Sequence, residues 1–202
     1  MLLKIIKLID RLATQALINF LSKSVQRHTT VPVHSILVIR PGGIGDAVLL
    51  LPMLHELALL HPDVQIDVLA ENRNAEVFGW SPAVSTIFKY DRPKDFLKLF
   101  QQDYDLIIDT EQWYRLSAVV TRLLSAPRSI GFATNTRSRL FTDSRPYHQE
   151  RYEAEMFLEL LEPLRNGISE TTWPQNEVLV LPRSGFKPKK PYVVIFPGAS
   201  VS

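Results

Sequence analysis

Asp46 closes a seven-residue segment, Arg40-Pro41-Gly42-Gly43-Ile44-Gly45-Asp46, that sets a carboxylate, a guanidinium and three glycines side by side. Glycines let backbone N–H groups approach a ligand with no Cβ in the way, and the free N–H groups at a helix start favour anionic or hydroxylated partners. A carboxylate at the same helix start is favoured in its ionised form by about 0.3–1 kcal/mol and can take a proton from a hydroxyl held within hydrogen-bond reach. Against this stands a plainer reading, in which Asp46 caps the helix and Gly42, Gly43 and Gly45 make a tight strand-to-helix turn. Arg40, Arg115 and Arg137 each carry a guanidinium fork suited to acidic groups, although solvated surface is the ordinary place for an arginine. Glu111 is a second, reserve carboxylate.

Two known glycine-loop designs can be compared with these residues. A nucleoside-triphosphate loop needs four residues between its glycines, then a lysine and a hydroxyl residue, and the lysine is missing here. A dinucleotide fingerprint needs a third glycine where this chain has Val48, though Glu71 falls at the end of the next strand, where a ribose-binding acid sits in such folds. A dinucleotide-binding domain of an oxidoreductase therefore remains an alternative.

The elements that position the loop follow from periodicity. Ser35 to Ile39 is the continuous β-branched run of a strand covered on both faces, and Ala47 to Leu60 carries helix-forming apolar residues. Pro52 predicts a kink or a tight first turn in that helix. Strands are expected at Val64 to Ala70, Thr86 to Tyr90, Asp105 to Asp109 and Ser129 to Phe132. Helices are expected near Ala75, from Asp95 to Phe100, Leu116 to Leu124 and Glu150 to Leu164. Such alternation implies an α/β fold, a parallel sheet wrapped by helices on both faces, with ligands at the carboxyl ends of the strands.

A strand ending in Arg, a loop closing with Gly-Asp and a helix bearing Leu-Pro resemble glycosyltransferase family 9, the family of the lipopolysaccharide heptosyltransferases. Here these are Ile36-Leu37-Val38-Ile39-Arg40, Gly45-Asp46 and Leu51-Pro52. The order continues with His61-Pro62-Asp63 before Gln65-Ile66-Asp67-Val68-Leu69, then Ser81-Pro82-Ala83-Val84, then Tyr104-Asp105-Leu106-Ile107-Ile108-Asp109. Ala126-Pro127-Arg128-Ser129-Ile130-Gly131-Phe132 is similar to the segment after the family's fourth helix, and Phe196-Pro197-Gly198-Ala199-Ser200 to the opening of its second domain. The resemblance runs from about Ser35 to Ser202. It departs from the family at Asp109-Thr110-Glu111-Gln112-Trp113-Tyr114, where the usual pattern is Asp-x-Gln-Gly.

The resemblance implies the Rossmann-like, acceptor-side half of a GT-B fold and inverting transfer of a sugar from an ADP-linked nucleotide sugar to a cell-envelope glycan such as the lipopolysaccharide core. Asp46 would be the base. Arg40, Gly42, Gly43, Gly45, Glu111, Arg115 and Arg137 would bind substrate, the arginines through acidic groups of the acceptor, and Gly198, Ala199 and Ser200 would meet the donor phosphates. Trp113 and Tyr114 either stack on a sugar ring or belong to the core. No cofactor and no obligatory metal are implied. The organisation expected is residues 1–27 as an amphipathic helix, 28–34 as a linker, 35–173 as the acceptor-side domain, 174–191 as an interdomain linker and 192–202 as the start of a nucleotide-sugar domain. With that second domain cut short, the isolated chain is expected to be inactive.

Composition bounds the remaining classes. The chain has 202 residues, 46% hydrophobic and 22% charged, which suits a globular core. A formal net charge of +2 without a basic stripe gives no footprint for nucleic acid. Cysteine is absent, which excludes thiol chemistry and fits a reducing, cytoplasmic setting, and the five histidines show no ligand spacing for a metal. Between Met1 and Leu21, Leu2, Ile5, Ile6, Ile9, Leu12, Ala13, Ala16, Leu17 and Phe20 share one helical face opposite Lys4, Lys7 and Arg11. Two readings stand for this helix: peripheral contact with an anionic membrane surface, which keeps a non-enzymatic membrane-surface module built on the same domain as a further alternative, or packing on protein.

Overall fold

The computed structural model describes residues 18–22 and 32–165. Six strands form one sheet: β1 (Ser35–Arg40), β2 (Gln65–Ala70), β3 (Thr86–Lys89), β4 (Leu106–Asp109), β5 (Arg128–Phe132) and β6 (Asp143–Arg145). Every pairing is parallel, in the order β3-β2-β1-β4-β5-β6. The helices between them are α1 (Ile44–Leu60), α2 (Ala75–Phe78), α3 (Pro93–Leu99), α4 (Arg115–Leu123) and α5 (Glu153–Glu159), with 3-10 turns at Thr136–Leu140 and Glu162–Leu164.

Side chains alternate between the sheet's faces, so one unbroken apolar run serves two cores. Ile36, Val38, Ile66, Val68, Leu106 and Ile108 pack with Leu50, Leu54 and Leu57 of α1 and Met156 and Phe157 of α5. Leu37, Ile39, Leu69 and Ile107 face the other way, onto Leu99, Tyr104 and Val120. Asp67, also on that face, is buried and accepts from the Tyr104 hydroxyl at 2.9 Å. Burial and this carboxylate push the Tyr104 phenol up.

Connections to the left of β1 run through α1 and α2, and after α3 the chain returns to the other side of β1 to lay down β4. The strand order therefore reverses between β1 and β4, and in open parallel sheets the crevice at such a reversal is where ligands bind. The carboxyl ends there are Arg40 and Asp109.

Several expectations are corrected in detail. The first helix starts at Ile44 instead of Ala47, so Gly45 and Asp46 lie inside its first turn. Pro52 lies in the interior of this 17-residue helix, not in its first turn. The expected helix from Glu150 to Leu164 is divided into α5 and a 3-10 turn, because Pro163 lacks the N–H that would have bonded the Glu159 carbonyl. β6 and the turn at Thr136–Leu140 had no sequence signal: Asp143-Ser144-Arg145 shows no apolar alternation.

Residues 18–21 are helical and dock on the domain. Ile18 is buried among Ala118, Val119, Leu140 and Phe141, and Arg139 donates to Asn19 Oδ1 at 3.3 Å. Phe20 stays 75% exposed. The rest of the amphipathic helix, the linker up to residue 31, and residues 166–202 with Gly198, Ala199 and Ser200 lie outside the described residues. Among the described residues, no helix is long and apolar enough to cross a membrane and no three His, Asp or Glu converge as a metal site.

Candidate active site

The glycine loop leaves β1 at the reversal point and is held from three sides. Gly42 adopts φ 113°, a conformation costly for any residue with a Cβ, and its N–H donates to Glu71 Oε1 at 3.1 Å. Asn74, fully buried, donates from Nδ2 to the Arg40 carbonyl and accepts the Glu71 N–H at 2.9 Å. Glu71 also accepts from the Tyr90 hydroxyl at 2.9 Å and pairs with Arg73. The acid that a dinucleotide ribose would need is thus committed to the loop itself, which corrects the alternative built on Glu71. It also corrects Gly42: its amide serves the loop, not a ligand.

Arg40 ends β1 with its side chain turned inward, 2% exposed. One Nη donates to the Thr110 carbonyl at 2.8 Å, the other to Asp46 Oδ2 at 2.7 Å, and the guanidinium lies 5.2 Å from the Phe157 ring centre. Arg40 is therefore not exposed for an acidic acceptor group; it holds Asp46. Asp46 does not cap the helix. The N-cap is Gly43, without a side-chain bond, and Asp46 stands three residues on, with its side chain 44% exposed. Its Oδ1 has no partner among the described residues, and neither do the amides of Gly43, Ile44 and Gly45. The result is an open carboxylate oxygen beside unfilled helix-start donors, able to accept a hydroxyl proton and to hold an oxygen-rich ligand.

The neighbouring loop, after β4, is organised by its own acids. Asp109 and Arg137 are both fully buried and paired at 2.6 Å, and the same Arg137 nitrogen donates to Ser117 Oγ at 3.1 Å. Burial pushes the Asp109 carboxyl up, opposed by Arg137 and by the Glu111 amide, which donates to it at 3.0 Å. Arg137 is thus a structural cation, and its expected contact with an acceptor is corrected by complete burial. Glu111 is 5% exposed, and its Oε1 accepts the N–H groups of Gln112, Trp113 and Tyr114 at 3.0, 3.0 and 3.3 Å. It shapes the turn into α4. Arg115, half-buried at the start of α4, donates from Nε to Thr136 Oγ1 at 3.2 Å. Trp113 and Tyr114 are 47% and 42% exposed, so neither is core.

Sequence reasoning missed Tyr147 and Glu153. The Tyr147 hydroxyl donates to Glu153 Oε2 at 2.6 Å, and Gln112 donates to the other Glu153 oxygen. Burial and Glu153 push this phenol up, and the charges of Arg40 and Asp46 also reach it. Tyr147 packs edge-on against Trp113 and Phe132 at 5.8 and 5.1 Å. Tyr147 follows β6, the strand without a sequence signal, and Glu153 opens an expected helix but meets Gln112 only across 41 residues of chain, which no local pattern shows.

With this geometry in place, solved structures give the nearest bearing. The E. coli heptosyltransferase WaaC with ADP superposes with a TM-score of 0.57 at 21% identity, covering 71% of this chain and 49% of that one. The E. coli ADP-heptose lipopolysaccharide heptosyltransferase II gives 0.58 at 23%, covering 71% and 46%. The family 9 glycosyl transferase of Veillonella parvula gives 0.58 at 17%, covering 73% and 45%. The chain has the fold of a heptosyltransferase half. Its sheet and helices match the N-terminal, Rossmann-like half of a GT-B architecture, and the chain spans about half the length of the structures it matches. No family model matches the sequence, and no curated protein does.

Proposed function

We propose that this chain is the acceptor-side half of a family 9-type inverting glycosyltransferase, which moves a sugar from an ADP-linked nucleotide sugar to a cell-envelope glycan at the cytoplasmic face of the membrane. The observation that carries this reading is the Asp46 carboxylate at the strand-order reversal, with one oxygen fixed by buried Arg40 and the other open. The fold likeness to WaaC, solved with ADP, supports the nucleotide-sugar class.

In the reaction, an acceptor hydroxyl hydrogen-bonds to Asp46 Oδ1 while its oxygen attacks the anomeric carbon. The proton passes to Asp46 as the new C–O bond forms, and the nucleoside diphosphate leaves with the electrons of the broken bond. Arg40 contributes by fixing the carboxylate's rotamer, since a base misplaced by about 1 Å forfeits much of the advantage of proximity. Donor contacts belong to the second half of such a fold, for which Gly198, Ala199 and Ser200 are the candidates here.

The test joins the chain to the nucleotide-sugar half of an E. coli heptosyltransferase and measures transfer from ADP-heptose. Asp46→Asn is expected to lower kcat by about 10²–10⁴-fold with little change in donor KM. Undiminished turnover in Asp46→Asn would sink the assignment of the base. Calorimetry with NADH addresses the oxidoreductase alternative: because Glu71 is committed to Gly42 and Tyr90, no micromolar binding is expected, and its appearance would replace the transferase reading.

A further inference from the structure

We infer that Trp113 is the stacking platform for the ring of a saccharide acceptor, and that Glu111 is the positioning residue that presents it. This rests on the glycosyl-transfer reading and adds the surface on which the acceptor lies. The loop carrying Trp113 is bound at every turn. Glu111 Oε1 takes three successive amides, Thr134 donates to the Gln112 carbonyl, and Asn135 Nδ2 donates to the Trp113 carbonyl at 2.9 Å. Yet the side chain so carefully fixed is left 47% exposed.

The ring itself is held against Tyr147, with the two planes 88° apart. Arg40 donates one Nη to Asp46 and the other to the carbonyl of Thr110, the residue before Glu111, so a single guanidinium joins the turn that carries Trp113 to the candidate base. Tyr147, against which the indole packs, donates to one oxygen of Glu153, and Gln112, the residue before Trp113, donates to the other. A pyranose has an apolar C–H face and a rim of hydroxyls, and it matches an aromatic face with a carboxylate and an amide close by. Of the three arginines first nominated for the acceptor, Arg40 and Arg137 are buried and internally bonded, and Arg115 donates to Thr136.

The experiment titrates the ¹⁵N-labelled 202-residue chain with methyl glycosides of gluco-, galacto-, manno- and heptopyranose. The Trp113 indole N–H, assigned with Trp113→Phe, and the Gly45 amide are followed together. At least one glycoside is expected to shift both signals saturably. Trp113→Ala should then weaken binding about tenfold or more, and Trp113→Phe less. Glu111→Gln, which keeps the Oε1 acceptor, should bind like wild type, while Glu111→Ala should lose affinity with its folded spectrum intact. A glycoside that moves Gly45 but not Trp113, or that binds Trp113→Ala as well as wild type, overturns the platform and leaves the transferase reading standing. Wild-type affinity in Glu111→Ala overturns the positioning role. If no glycoside moves either signal, both readings fall.

Discussion

A Cβ built on Gly45 meets no atom within 4 Å, and Gly45 has no positive φ, in contrast to Gly42, where the φ of +113° strains any side chain. Open space at a helix start beside a candidate base separates stability from binding. Gly45→Ala is expected to stabilise the fold by about 0.5–1 kcal/mol, since alanine is the better helix former, while weakening glycoside binding by filling the approach to the loop amides. Denaturant titration and the glycoside titration read the two effects independently. Asp105 gives a second residue-scale expectation. Its carboxyl lies below the usual range, chiefly because the His34 N–H donates to it at 2.9 Å, with the Ser35 N–H and hydroxyl helping against partial burial. A depressed folded value means that this stabilisation is complete above the unfolded value of about 3.9 and disappears as pH falls through the folded one. Solvent screening and the acceptor oxygen that asparagine keeps limit the cost of Asp105→Asn to at most about 1 kcal/mol at pH 7, and the gap from wild type should close as pH falls below about 4.

At the scale of elements, Gly131 shows how one glycine fixes a layer. A Cβ there would lie 2.4 Å from the Phe141 ring, which sits beneath the Arg137 guanidinium at 5.4 Å. Gly131→Ala should destabilise by about 1–3 kcal/mol, seen as a lower denaturant midpoint. Ile18, fully buried against α4, anchors the short N-terminal helical piece, and Ile18→Ala is expected to cost about 2–4 kcal/mol. The strands β1 to β5 and the glycine loop were legible because buried parallel strands are written as apolar runs and the loop as glycines. β6 and the Thr136–Leu140 turn were not, since short polar segments owe their conformation to neighbours such as Thr142 bonding Ser129. The site divided in the same way. Asp46 was visible from its place at a strand–helix junction, whereas the inward turn of Arg40 and the burial of Arg137 depend on partners 70 and 28 residues distant.

Taken as a whole, the sheet places its most buried strand at the centre and builds it from residues far apart. β1 finds β2 across a single helix, but its other edge is filled only by β4, whose Leu106–Asp109 is made much later. Contacts of such separation slow folding, so Ile108→Val should lower the refolding rate, while an edge change such as Phe88→Leu should act mainly on unfolding; stopped-flow chevrons distinguish them. Synthesis meets the same geometry as an interval. About 40 residues separate the end of β2 from the end of β4, and at roughly 5–20 residues per second the ribosome leaves the Ser35–Arg40 edge bare for about 2–8 s. During those seconds the sequence Ser-Ile-Leu-Val-Ile is an open template for the wrong strand, which makes the nascent chain, more than the finished molecule, the stage at which chaperones would be needed.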